Sequence, residues 1–374
     1  MTSPHVTVKE PRQREQWVDN LRVVLIAGVI VAHTATAYVV DIPWYYDDEQ
    51  TASGVWSVIV GLPTFVAGAF GLGPLFLVAG WFSTVSMARR GAADFVRSRL
   101  LRLGLPLLVF VLLLQPLTDY IGNLRSERGS FAYYLGMTEV SVMWFVAALL
   151  VFSLAYAGLR VLRPSVEPGR LDRPAALVPV AATAIAVSSF TVWQIWPWNA
   201  EVFLNLRFGE WPQAAVLFAL GVRAGETGWL KDVPAALVRR IGWLAAAAAL
   251  ALAALLGIEA AWGDVDVLLD ATAMGPTIVF AVLDGLLAVT WTLWCVAWFR
   301  RRWTSQGPAM NKASRASYAT YVIHPLVLTT LMVVFAAVVL PPVLKFVVIS
   351  VAGVPACFAV GYGLTRVPGI SKVL

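Results

Sequence analysis

The chain has 374 residues, of which 59% are hydrophobic and only 13% charged, with a mean hydropathy of +0.74 and a formal net charge of +6. Soluble domains carry close to twice that charged fraction and less apolar content, so a water-soluble enzyme, a disordered chain and a secreted disulfide scaffold are all excluded. The composition is that of an all-α, polytopic transmembrane helical bundle.

In chain order, residues 1–19 form a polar segment, read as a tail, before the first apolar run. That run lacks an Ala-x-Ala-like cleavage site, so it reads as a retained span with Asp19 as its helix N-cap. Crossing roughly 30 Å of hydrocarbon takes about 20 residues. Ten runs fit: 20–40, 74–89, 100–122, 141–161, 174–195, 212–225, 238–257, 274–299, 314–338 and 342–364. Residues 55–88 would make roughly 50 Å of helix, too long for one span. Gly71-Leu72-Gly73-Pro74 breaks this stretch, which leaves 55–70 as a re-entrant or interfacial helix. The transmembrane domain is therefore expected over 20–364, with a second tail at 365–374.

Ten crossings put both termini on one side, and charge says which. Twenty-three of the 28 Lys and Arg lie in 1–19, 89–102, 160–173, 222–240, 300–315 and 365–374, leaving Arg22, Arg125, Arg128, Arg207 and Lys345 elsewhere. Acidic residues such as Asp41, Asp47, Asp48, Glu49, Asp264, Asp266 and Asp270 gather in the opposite loops. Both termini are expected in the cytoplasm. The basic residues flank apolar runs instead of covering one face, so the lipid bilayer and not nucleic acid is the expected partner. Cys295 and Cys357 each sit inside an apolar run and predict no disulfide.

Ionisable residues inside spans are costly, and each is a site candidate. Arg22 and His33 are eleven residues apart, which places them on one helix face about 16 Å apart along its axis. A snorkelling Arg and a hydrogen-bonded packing His would look the same. His324 shares a face with Tyr321, and Ser317 and Tyr318 add hydroxyls to what is otherwise a polar seam between helices. Pro325 frees a backbone carbonyl one turn back, which a neighbouring helix or water must satisfy. His33 and His324 lie roughly 20 and 15 Å into their spans, deep enough to line one cavity. Arg99 and Arg102, at spacing i, i+3, put two guanidinium groups on one face, suited to a phosphate or to lipid headgroups. Asp284 lies mid-span and needs a partner or a proton, whereas Glu139 sits near a span end beside Trp144. No Walker loop, dinucleotide turn or Gly-x-Ser-x-Gly elbow occurs. With three His in the chain, one of them His5 in the tail, no metal site is expected.

Taken together these residues resemble the membrane acyltransferase-3 family. Asp19-Asn20-Leu21-Arg22 with His33 is similar to its opening Arg-x10-His signature. Residues 74–83 with Phe95, Arg99, Arg102 and Pro106 resemble its second block. Met143-Trp144-Phe145 and Ser317-Tyr318 through Tyr321 to His324 resemble its later ones, all in family order. His33 followed by Tyr38 and Trp44 looks closest to the branch containing glucan succinyltransferases. Ala79-Gly80 stands where many members have Ser-Gly.

The resemblance implies an O-acyltransferase in a bacterial plasma membrane. It would move an acetyl, succinyl or similar group from cytoplasmic acyl-CoA to a hydroxyl of a carbohydrate or other envelope acceptor, with no permanently bound cofactor. His33, Arg22 and His324 would be catalytic, with His33 as general base, and Arg99 and Arg102 would bind the donor. Asp19, Glu139, Trp144, Asp284, Ser317, Tyr318 and Tyr321 would support them. A secondary transporter with a polar intramembrane site is the alternative the residues also allow, although no inverted repeat is evident between the halves.

Overall fold

The computed structural model describes residues 15–40, 44–46, 48, 51–52, 54–124, 130–163, 174–198, 200, 202–262 and 271–373. His5 and most of the tail expected over 1–19 lie outside the described residues, as do Asp41, Asp47, Glu49, Arg125, Arg128, Asp264, Asp266 and Asp270. All regular structure among the described residues is helical. The elements are α1 (Gln16–Tyr38), α2 (Val55–Phe70) and α3 (Gly73–Arg99). A continuous pass follows, built from π-turns at Leu100–Gly104 and Phe110–Leu114 alternating with α4 (Leu105–Val109) and α5 (Gln115–Gly122). Then come α6 (Phe131–Leu135), α7 (Trp144–Leu162), α8 (Leu177–Trp193), α9 (Trp211–Thr227), α10 (Ala235–Trp262), α11 (Met274–Arg302), α12 (Pro308–Phe335) and α13 (Pro342–Leu364).

Seven segments among the described residues are long and apolar enough to cross a membrane, one of them the stretch Val55–Gly122 that holds α2, α3 and the next pass. The chain is a multi-pass membrane protein. At 17 residues, α8 and α9 are shorter.

Long-range contacts set the helix directions. Near the start of α1, Asn20 Nδ2 donates to the carbonyls of Trp303 and Ser305 at 2.8 and 3.1 Å, just ahead of α12. Further along α1, His33 meets His324 of α12, so these two helices run parallel. α3 runs against α1, because Trp81 packs on Trp17 while Leu72, at the start of α3, lines the same cavity as His33. α8 runs against α11, with Ala182 at Gly285 and Trp193 stacked on Phe280 at 4.9 Å. α13 returns along α12, with Gly361 at Thr320 and Gly353 at Leu328.

α2 packs at one end of the bundle. Gly61 lies against Val40, Phe65 against Trp198, and the Ala69 carbonyl accepts from Gln213 Nε2 at 2.7 Å. All three partners sit at the end of the bundle where α1 finishes. Lys345 and Asp48 join there too, in an ion pair of 2.7 Å.

Two local expectations change. Asp19 does not cap α1, which starts a turn earlier with Glu15 at the cap position and no side-chain capping bond. Trp17 and Val18 are buried, and tertiary packing extends the helix past the residue that local preference would choose. The carbonyl freed by Pro325 is taken by a side chain of its own helix, as described below. Close packing is governed by small residues. A Cβ on Gly80 would lie 2.0 Å from the Phe218 carbonyl oxygen, and one on Gly221 would lie 1.9 Å from that of Leu77, so α3 and α9 touch backbone to backbone. Gly91, at φ +75°, breaks α3 and turns the chain into the next pass.

Candidate functional site

The site begins with a missing N–H. Pro325 cannot donate to the carbonyl of Tyr321 four residues back, so that oxygen is free within α12. The ring of His324 takes it, with Nδ1 2.6 Å from the Tyr321 oxygen. A carbonyl only accepts, so Nδ1 carries the proton and Nε2 of a neutral His324 is an acceptor. His33 Nδ1 lies 3.0 Å from that Nε2 and must donate to it. The rings are near-parallel, 5° apart in plane. The hydrogen-bond network thereby assigns His33 the tautomer with an unprotonated Nε2. His324 is fully buried, whereas His33 lines a cavity and stacks on Trp44 at 4.3 Å between ring centres.

That cavity has a volume of about 190 Å³. Val29, Ala32, His33 and Thr36 of α1 form one wall, and α2 contributes Thr64, Phe65, Ala67 and Gly68. Trp144 and Tyr321 bound it on the bundle side. Its remaining wall is irregular backbone. Phe203, Leu204, Asn205 and Arg207 all hold left-handed conformations, with φ between 43° and 59°, and so does Ser141 at φ 44°. Such strain persists only where surrounding contacts hold it. Here Val140 N donates to the Leu204 carbonyl at 2.8 Å and Asn205 Nδ2 to Glu139 Oε2 at 3.3 Å, stitching the two loops together. Arg207 Nε then reaches Glu210 Oε1 at 3.1 Å, with its guanidinium 5.6 Å from the Trp198 ring. Burial raises the Glu210 carboxyl above the usual carboxylate range, and Arg207 opposes that shift.

Of the residues singled out from sequence, His33, Trp144 and Tyr321 line the cavity and His324 backs it. The Tyr321 hydroxyl donates to the Val142 carbonyl. Glu139 is exposed and holds Asn205 from outside. Asp19 and Arg22 pair with each other at 3.8 Å, at the far end of α1 from His33. Asp284 is buried and accepts from Ser189 Oγ at 2.9 Å, which locks α11 to α8 away from the cavity. Ser317 donates within α12 to the Ser314 carbonyl, and the buried Tyr318 hydroxyl has no partner among the described residues.

Arg99 and Arg102 do not share one face as the spacing predicts. The π-turn that begins at Leu100 winds more loosely than an α-turn and rotates i+3 away from i. Arg99 turns inward, donating to Ser83 Oγ at 3.2 Å over the Phe95 ring, while Arg102 is exposed in a cleft with Arg90, Asp94 and Arg97. Sequence reasoning missed Trp198, Asn205, Arg207 and Glu210. Apart from Arg207, the single basic residue between Arg173 and Arg223, nothing in their pattern marked them.

A family model described as an acyltransferase domain matches residues 15–362 of the chain. No curated protein and no solved structure matches it.

Proposed function

The chain belongs to the acyltransferase-3 family and is a membrane acyltransferase, and on that premise we propose that His33 is the general base of acyl transfer from acyl-CoA to an acceptor hydroxyl. The observation that carries this reading is the His33–His324 pair at the wall of the cavity. His33 Nε2 takes the proton of the acceptor hydroxyl as its oxygen attacks the thioester carbonyl. The acyl–oxygen bond forms, the carbon–sulfur bond breaks, and the proton passes to the departing CoA thiolate. The imidazolium formed in between keeps its Nδ1–H on His324 and lies against the Trp44 ring, both of which favour the charge. Mass spectrometry of envelope glycans and metabolites tests this in a bacterial deletion strain. An acyl increment should vanish and return with the wild-type gene but not with His33→Ala. No difference between deletion and wild type would sink the reading.

The donor enters, in this proposal, at the basic end of the bundle. Arg22, Arg90 and Arg102 stand close enough to Arg99 to act on it electrostatically. Because Arg99 and Arg102 face different ways, they would hold separate phosphates of one CoA. Arg99→Ala and Arg102→Ala are each expected to weaken acyl-CoA binding about tenfold, with the losses multiplying in the double variant. Lys should rescue only partly, since it lacks the planar fork. Unchanged affinity in both single variants, measured by equilibrium binding, would leave them as lipid anchors.

That entry requires ten spans with both termini in the cytoplasm of a plasma-membrane protein. The parallel course of α1 and α12 supports it, as does the ion pair between Asp48 and Lys345 at the opposite end. With a membrane-impermeant thiol reagent, Glu15→Cys should label only from the cytoplasmic side and Thr51→Cys only from outside. Cys295 and Cys357 are buried. Outside labelling at position 15 would overturn the arrangement.

A further inference from the structure

The Trp44 ring covers one face of His33 at 4.3 Å, yet Trp44 belongs to no helix. What holds it lies in the residues that follow. Tyr45 packs edge-on against Trp44, and its carbonyl rests on Gly122, where a Cβ would come within 1.8 Å of the oxygen. Asp48 accepts from Lys345 Nζ at 2.7 Å and from the Tyr46 hydroxyl at 3.2 Å, both on Oδ2. The side chains of Lys345 and Asp48 are only 10% and 5% exposed. Lys345 sits in the first turn of α13, at the positive end of the helix dipole, where both the dipole and burial disfavour a cation. A buried ion pair adds little net stability, because stripping water from both charges offsets most of their attraction. Its effect is on placement: a buried Lys345 leaves Asp48 one position in which both charges are met.

We propose that the Asp48–Lys345 pair is a positioning latch for His33: by fixing Asp48 to α13, it keeps the Trp44 ring on the imidazole. The proposal rests on the reading of His33 as the base. An imidazole N–H lies in the plane of its ring, so His33 Nδ1 donates well to His324 Nε2 only while its ring keeps its orientation. The two rings are now 5° from parallel. The flat face of Trp44 blocks rotation of the His33 ring about its Cβ–Cγ bond, on a residue that otherwise lines open volume. Neither Asp48 nor Lys345 lines the cavity, so both act on the base through Trp44. α13 also lies along α12, with Gly353 at Leu328. The helix pair that carries His324 therefore carries the anchor of Trp44 as well, and the two supports of His33 stay in register with each other.

Fluorine NMR of the fluorotryptophan-labelled full chain in lipid nanodiscs reads the latch without any turnover, with the Trp44 signal identified by its loss in Trp44→Phe. Asp48→Asn/Lys345→Met removes both charges and strands neither. It should shift or broaden the Trp44 signal and leave that of Trp193, fully buried in the core, where it was. Lys345→Arg keeps the pair and should leave Trp44 close to wild type. Tyr46→Phe takes one bond from Asp48 and no charge, so it should move the signal the same way by less. Turnover of acyl-CoA supplies the second arm. The neutral double variant is expected to lose about ten- to a hundredfold in kcat, as for a misplaced catalytic group, with KM for the donor changed about twofold or less. In a Trp44→Ala background the same double substitution should cost about twofold or less, because a latch that acts through Trp44 has nothing left to hold. An unmoved Trp44 signal in the folded double variant, or in Tyr46→Phe where the double variant does not fold, would overturn the latch. So would a loss of turnover fully additive with that of Trp44→Ala. If wild type transfers no acyl group, the reading of His33 falls, and the fluorine signal alone decides whether the pair holds Trp44.

Discussion

Acyl transfer by His33→Ala is expected to fall by about 10²–10⁴-fold, the range for loss of a positioned general base, while the protein still inserts and purifies as a folded bundle. The fold should survive because His33 is only half-buried and lines open volume, so truncation enlarges a cavity instead of emptying a packed core. Turnover of acyl-CoA, read as release of free thiol in the presence of acceptor, measures the loss. Unaltered melting alongside lost turnover would tie the effect to chemistry. Retained turnover in folded protein would remove His33 from the mechanism.

His324→Ala is expected to cost less, about ten- to a hundredfold, because His324 acts on the reaction through His33. Without it, the His33 Nδ1–H loses its acceptor, a penalty of about 1–3 kcal/mol, and the ring is free to place its proton on Nε2 instead. The base is then present but in the wrong tautomer for part of the time. The Tyr321 carbonyl is orphaned by the same change, because Pro325 cannot supply the missing donor. His324→Gln separates this account from mere packing. A Gln at that position offers its carbonyl to His33 and its amide to the Tyr321 oxygen, so it should restore turnover to within several-fold of wild type. Equal losses in folded Ala and Gln proteins would show that His324 does not set the tautomer.

Much of the architecture was legible in the chain because lipid leaves few solutions. Apolar runs bounded by charge mark the helices. Gly71 to Pro74 and Pro341-Pro342 fall at breaks because one lacks the preference and the other the N–H for helix. Asp19 shows the limit of local rules, since α1 begins before it once Trp17 and Val18 have a core to enter.

What the sequence determined by itself was the list of costly residues and their approximate depth. An ionisable side chain in an apolar span must be satisfied, and helical rise converts residue number into depth, so His33 and His324 could be matched without coordinates. The identity of each partner was a different matter. Asp284 carries the same signature in the chain as His33, yet a tertiary contact turns it to Ser189. Arg99 and Arg102 were separated by a π-turn, which no spacing rule anticipates. Asn205 and Arg207 sit in left-handed backbone with neither the 3.6 nor the 2.0 period, in a loop held by contacts to Glu139 and Val140 more than sixty residues away in sequence. Only tertiary structure brings that loop across from His33, because conformations that are locally strained are chosen by the contacts that close over them and not by the residues within them.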